Sequence, residues 1–317
     1  MLTCWDEFFP LNRNLVVGWR SLIVTKPARL SRDRFSLCIE QDKSVRVPFE
    51  DIAVIVLDHN QIMLTHPVLT ACSEYGIAVF STNDAHQPAG VFTPFLTHSR
   101  ATRFLRLQMG MKKPLRKQLW GAIIRRKIIN QARCLELTER RGGQHLRALA
   151  AKVRSGDSTM MESRAACFHF SRLFGHRFTR SSETWINAAL NYGYAIVRGA
   201  ITRGLIAHGF FPSLGLHHAS EQNAFNLADD IIEPFRPVVD LHVATHVPEQ
   251  DRLLAVADKA ALVSLLNTDI QMPQGLMSAL SAIEQSIESL ARAMEYQSVK
   301  LLELPKLVGL EPHQQEE

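Results

Sequence analysis

The sequence predicts an α+β protein, with a small amino-terminal β-sheet domain over residues 1–95 followed by a larger all-α domain over residues 96–317. Three observations predict it. Residues 16–95 break into short β-branched runs separated by Gly, Pro and polar punctuation. Near Pro94 that texture ends and apolar residues recur at helical spacing. Further on, Thr184–His208 carries the pattern of one long helix, placed at the centre of the second domain.

Within the first domain, Ser21–Thr25 (S-L-I-V-T), Phe35–Ile39 (F-S-L-C-I) and Val45–Pro48 read as strands. Ile52–Leu57, I-A-V-I-V-L, has the length and composition of a buried strand. Gly18, Pro27 and the polar Ser31-Arg32-Asp33-Arg34 read as turns. Pro67–Tyr75 reads as a short helix and Ile77–Ser81 as another strand. No acid cluster with ligand spacing falls here, so this domain is expected to carry assembly. The residues before Gly18 receive no role.

The segment Ser99–Arg154 is helical and strongly basic, with sixteen Lys and Arg against two Glu, in a chain whose net charge is only +5. Such an excess calls for an anionic partner, and DNA phosphates are the natural one because contacts to them release counterions. Candidate phosphate contacts are Arg100, Arg103, Arg106, Lys112, Lys113, Arg116, Lys117, Arg125, Arg126 and Lys127, with Arg236 further along. Only Phe104 and Trp120 interrupt them as aromatics. That favours tracking of a duplex backbone over stacking of single-stranded bases.

After Arg140-Arg141-Gly142-Gly143 ends a helix, Ser155-Gly156-Asp157-Ser158 can cap a new one that carries Glu162 in its first turn. The long helix that follows is poor in bulk at Ala188, Ala189, Gly193, Gly199, Ala200 and Gly204, so neighbours can approach it closely. Gly209, Phe211 and Pro212 stop it. Asp251–Leu266 and Met277–Leu302 read as amphipathic helices.

The chemistry concentrates in Gly215–Asp240. Two adjacent histidines, His217 and His218, precede a helix read over Asn226–Glu233 that holds Asp229, Asp230 and Glu233. Asp230 and Glu233 are three apart, which places both on one helix face, where two carboxylates repel each other unless a cation or a proton sits between them. A histidine from the preceding loop would complete a mixed N/O set suited to Mn²⁺ or Mg²⁺. His242 and His246, four apart, could form a zinc pair, but no glutamate completes H-E-x-x-H.

The H-x14-E spacing from His218 to Glu233, inside F-N-L-A-D-D-I-I-E-P-F-R-P-V-V-D, resembles the active-site segment of the CRISPR adaptation integrases, the Cas-one family, with type II systems the nearest in character. Gly18-Trp19-Arg20-Ser21 through Asp51-Ile52-Ala53 is similar to that family's β-domain, and Asn191-Tyr192-Gly193-Tyr194 to its helical core. The resemblance implies a metal-ligating glutamate at Glu162, shortly before Ala165-Ala166 and Leu173-Phe174-Gly175; the asparagine the family often carries two residues earlier is Met160 here. It implies that Glu162, His218 and Glu233 hold one Mg²⁺ or Mn²⁺, with Asp230 a fourth contributor. The implied activity is integrase or endonuclease, inserting short foreign DNA fragments into a CRISPR repeat array. The implied partners are a second copy of the chain, the small Cas-two protein, double-stranded DNA fragments and the array, with the type II effector nuclease and its accessory protein. The alternative is a non-catalytic scaffold that binds duplex DNA; a phosphodiesterase for small substrates has no use for the basic segment.

Five scattered cysteines, Cys4, Cys38, Cys72, Cys134 and Cys167, are odd in number and never form C-x-x-C, which fits a reducing compartment and argues against a thiolate metal site. No run of about 18 apolar residues occurs, and Met1–Leu15 lacks a signal-peptide core. The protein is therefore expected in the cytoplasm, away from membranes.

Overall fold

The computed structural model describes residues 20–84, 86–94 and 101–313. Ten strands and ten α-helices are assigned among them, in the α+β order expected. The first segment runs β1 (Arg20–Val24), β2 (Ala28–Asp33), β3 (Ser36–Glu40), β4 (Ser44–Pro48), β5 (Ile52–Leu57), β6 (Ile62–Leu64), α1 (His66–Glu74), β7 (Ala78–Thr82) and β8 (Pro88–Phe92). The second runs α2 (Ala101–Met109), α3 (Lys113–Leu137), α4 (Gly143–Ala151), α5 (Met161–Phe174), α6 (Trp185–Ala207), α7 (Asn226–Ile231), α8 (Arg236–Thr245), α9 (Val256–Ser264), β9 (Asp269–Met272), β10 (Gly275–Ser278) and α10 (Ala279–Glu295).

Two four-stranded sheets form the amino-terminal part. One has the order β1-β5-β7-β8, with β1, β5 and β7 parallel and β8 antiparallel at the edge; the other has the order β4-β3-β2-β6. Strand β2 replaces the turn expected at Ser31–Arg34. Ala28 and Leu30 are buried while Arg29 faces out, so the strand alternates, and the turn comes at Arg34, whose φ is +53°. Strand β8, with Pro88 and Gly90, was unmarked in the sequence because it is an edge strand bonded only to β7.

The first sheet is covered on both faces, which is why β5 is apolar almost throughout. Val24, Ile52, Ile55 and Val79 join the second sheet and α1 in one core; Val54, Val56, Ala78 and Phe80 belong to the large core of the helical part. The two parts are therefore packed together rather than strung apart. Phe80 lies on α6 where Gly199 leaves room: a Cβ there would stand 1.8 Å from the ring. Beside it, the buried Asp58 takes Lys259 Nζ of α9 at 2.8 Å, Thr82 Oγ1 at 3.0 Å and His86 Nδ1 at 2.8 Å. A buried carboxylate needs such partners to remain charged.

Helix α6 begins where expected: the Thr184 side chain accepts Asn187 N, closing the first turn. Helix α3 ends at Leu137, and Gly142, at φ +122°, precedes α4 instead of closing the helix before it. The last two expected helices are shorter than read, since α9 starts only at Val256 and α10 ends at Glu295, and the β9–β10 ribbon at Asp269–Ser278 interrupts the all-α run expected for this part. No helix among the described residues is long and apolar enough to cross a membrane.

Candidate active site

Four elements build the site: α3, the start of α5, the loop 215–220, and the turn between α7 and α8. Helix α3 contributes Trp120 and Lys127, two turns apart and so on one face. Both are buried, at 5% and 6% exposure. Lys127 was expected to meet phosphates, and the structure corrects this. It lies on the inner face with Ile123, Ile124 and Gln131, and its ammonium stands between Glu162 and Glu233.

Glu162 enters from the first turn of α5. Asp157 caps this helix, accepting Met161 N and Glu162 N at 2.9 Å each. Met160, just before, adopts φ 52° and ψ 40°, the left-handed region that asparagine tolerates best after glycine. Glu162 Oε1 meets Lys127 Nζ at 2.5 Å.

Glu233 does not share a helix face with Asp230. Helix α7 ends at Ile231, and Glu233 lies in the turn that leads through Pro234 to α8. Asn130, one turn beyond Lys127 on α3, fixes that turn by donating to Pro234 O at 2.8 Å. Glu233 Oε1 accepts Arg236 Nε at 2.9 Å, and Oε2 is in direct contact with the Lys127 ammonium. Burial favours the neutral acid, but Lys127 and Arg236 outweigh it and hold Glu233 down at about 2. Burial likewise opposes the Lys127 charge, and Glu233 and Glu162 overcome it, so its pKa is raised.

Asp230 has a different task from the fourth-ligand role expected. It is fully buried, and its oxygens accept Leu216 N at 2.5 Å, His217 N at 3.1 Å, His218 N at 3.2 Å and the His218 ring at Nδ1, 2.8 Å. The loop is wrapped on this carboxylate so closely that a Cβ on Gly215 would stand 2.8 Å from it. Asn226 ties the loop's ends, donating to Ser213 O and Ser220 O at 3.0 and 2.9 Å. Asp230 therefore orients His218. With Nδ1 turned to Asp230, Nε2 is left as the ring nitrogen for a ligand. The hydrogen bond to Asp230 is the largest cause of the raised His218 pKa, with the charges of Asp230, Glu233 and Asp229 adding and burial opposing. His217 lies flat on Trp120, ring centroids 4.3 Å apart, with the His218 ring nearly perpendicular to it.

Behind Glu233 runs a buried polar chain that the sequence did not signal. Arg236 covers the Tyr194 ring at 4.6 Å, Tyr194 OH donates to Asp240, and Asp240 Oδ2 meets His169 Nε2 at 3.0 Å. Arg236, expected to reach phosphate, is thus engaged with Glu233 and Tyr194. Its signal was the apolar setting of R-P-V-V-D, which marks a helix entering the core.

Among the described residues no three His, Cys, Asp or Glu side chains form a ready metal cluster. Two carboxylates do meet at one cation, the ammonium of Lys127, and an oriented imidazole stands on the neighbouring loop. Two oxygens and one nitrogen of this kind suit a divalent ion of the Mg²⁺ or Mn²⁺ type. His242 and His246 stack, centroids 4.2 Å apart, and His246 Nδ1 is engaged with His242 O.

Of the basic residues, Arg103, Arg106, Lys112, Lys113, Lys117 and Arg125 are exposed. Arg103 pairs with Glu295, and Arg125 donates to Val153 O at 2.9 Å. Arg116 and Arg126 are half-buried, and burial lowers the Arg126 pKa. Arg100 lies outside the described residues.

Residues 22–253 match the family described as CRISPR associated protein Cas1. The chain belongs to that family. It is 40% identical over 303 residues to a CRISPR-associated endonuclease Cas1 of Neisseria meningitidis serogroup C (strain 8013), covering 94% of this chain and 99% of that one. The fold is shared with a casposase bound to its integration product, at TM-score 0.72 and 17% identity over 88% of this chain and 91% of that one. It is also shared with a Cas1 protein from Thermotoga maritima, at TM-score 0.69 and 19% identity over 87% and 97%. A chain of a Cas6-RT-Cas1–Cas2 complex aligns at TM-score 0.71 and 20% identity over 92% of this chain and 36% of that one. All of Glu162, His218 and Glu233 fall within the matched family segment.

Proposed function

We propose that this Cas1-family chain is a metal-dependent DNA integrase and endonuclease that inserts short foreign DNA fragments into a CRISPR array. The observation that carries this reading is the convergence of Glu162 and Glu233, from separate elements, on one cation beside an Asp230-oriented His218. Glu162, His218 and Glu233 would hold Mg²⁺ or Mn²⁺. When bound, that ion neutralises charge on the phosphoryl oxygens and favours the attacking oxygen as its anion. His218 Nε2 either ligates the ion or takes the proton of the attacking 3′-OH, and Asp230 stabilises the imidazolium in the second case. Arg236 and Asn130 keep Glu233 in place. The exposed cations from Arg103 to Arg125 would hold duplex phosphates near the site. In transesterification the fragment's 3′-OH attacks a phosphodiester at the repeat boundary and the array strand's own 3′ oxygen leaves; water in the same place gives hydrolysis.

Likeness to a chain of a Cas1–Cas2 complex supports a Cas2 partner, and a homodimer would supply two sites for the two ends of a fragment. A cytoplasmic location and the type II effector nuclease with its accessory protein complete the reading. The second reading, a non-catalytic duplex-binding scaffold, draws on Lys127, which satisfies both acids without a metal. A strand-transfer assay with a labelled duplex fragment and an array-bearing plasmid separates them. The integrase needs Mn²⁺ or Mg²⁺ and Glu162; a scaffold binds DNA and transfers nothing under any metal.

A further inference from the structure

Lys127 is the side chain that the metal reading leaves unexplained, and it stands where the ion would go. Its ammonium contacts Glu162 Oε1 and Glu233 Oε2, the two carboxylates that converge. Arg236 adds a second cation on Glu233. Two carboxylates thus already face two cations, so Glu162 and Glu233 are balanced as they stand by Lys127 and Arg236. A divalent ion added beside the ammonium would leave an uncompensated positive charge in a buried place, which low local polarity makes costly. Either the ammonium yields or the ion does not enter.

We propose that Lys127 is a resident counter-cation that keeps Glu162 and Glu233 together in the metal-free protein, and that loading of Mn²⁺ or Mg²⁺ is an exchange in which the ion displaces this ammonium. The inference rests on the metal reading given above. Nothing covalent changes: the ammonium withdraws from the carboxylates on its flexible four-carbon stem, and carboxylate oxygens pass from nitrogen to metal. Lys127 is a positioning and gating residue here, setting how readily the site accepts its ion. Helix α3 is suited to this because Asn130 fixes Pro234 O and Leu307 N, so the frame holds while one side chain moves.

The test is calorimetric Mn²⁺ binding to the full chain, with thermal unfolding in chelator alongside. Lys127→Met should unfold at a lower temperature without metal, because two carboxylates are left facing each other. It should bind Mn²⁺ at least about tenfold tighter, since no ammonium competes. Lys127→Arg, which keeps the cation, should stay near the wild-type affinity. A structural ion pair that merely braces the ligands predicts the opposite, and unchanged or weaker Mn²⁺ binding by Lys127→Met overturns the exchange. If that variant does not fold, the structure of the wild-type protein with Mn²⁺ decides. Nζ withdrawn from Glu162 and Glu233 supports exchange; Nζ still bridging them beside a bound ion overturns it. Failure of the metal reading looks different. Neither wild type nor Lys127→Met would then bind Mn²⁺, no Mn²⁺-dependent strand transfer would occur, and both ideas fall together.

Discussion

Asp230 accepts the His218 ring at Nδ1, 2.8 Å away, while the same carboxylate holds the three backbone amides that lead up to that ring. The residue expected as a fourth ligand is the one that orients the His218 ring. Asp230→Asn should keep most of the loop's hydrogen bonds but remove the charge. The His218 pKa, now raised by this hydrogen bond first and by nearby carboxylates next, should move down. Mn²⁺ affinity should fall about ten- to a hundredfold, the usual effect of losing such a support. NMR titration of His218 with metal binding on the same samples checks this; an unmoved titration would contradict the assigned orientation.

Glu162 and Glu233 should respond differently to truncation. Both Glu162→Ala and Glu233→Ala should abolish metal-dependent strand transfer. Glu233 is buried and faces both the buried Lys127 and the half-buried Arg236, so Glu233→Ala removes two ion-pair contacts at once and should cost about 3 kcal/mol of stability. Glu162 is one-third exposed and shares only Lys127, so its loss should be milder. Denaturant unfolding of both variants makes the comparison, and equal losses would place Glu233 wrongly in the ion-pair network.

Six of the expected phosphate contacts, Arg103, Arg106, Lys112, Lys113, Lys117 and Arg125, lie at the surface. If each meets one phosphate of a duplex, log affinity should fall with log salt at a slope of about −5. Replacing Lys113 and Lys117 together by Gln should flatten the slope by about 2 without changing sequence preference. Fluorescence anisotropy across a salt series measures it. A flat slope would remove this face from the DNA path.

The sheet and the helices should not separate cleanly. Phe80 reaches across to Gly199 and belongs to the helical core. Phe80→Ala should cost about 3–5 kcal/mol, and a chain begun near residue 96 should expose that core face and aggregate or unfold. A well-folded truncated protein, by thermal unfolding and sedimentation, would show the two parts to be independent.

His242 gives a pH signature. Burial first, and the neighbouring His246 second, lower its pKa from 6.5 to about 4. The folded state therefore holds His242 neutral where the unfolded chain already takes up a proton. Stability from this group is complete above about pH 6.5 and declines as pH falls toward 4, below which it changes no further. The loss should be on the order of 2 kcal/mol after allowing for solvent at the exposed His246 side. His242→Phe should flatten the unfolding profile across that window.

The sequence by itself determined the strand Ile52–Leu57, the long helix at Trp185–Ala207, the basic character of α3 and the presence of Glu162, His218 and Glu233. These follow from periodicity, composition and motif spacing, which are local. Tertiary structure alone decided what each charge faces. Asp230 and Glu233 share a helix face only if the helix continues, and it stops at Ile231, so one carboxylate turns to the loop and the other to α3. Lys127 reads as one of three consecutive basic residues until α5 and the Glu233 turn cross α3 and bury it between two acids. Charge is a property of a residue, but its partner is set by segments 35 and 106 positions away in the chain, and only the packed fold brings those segments to the same point.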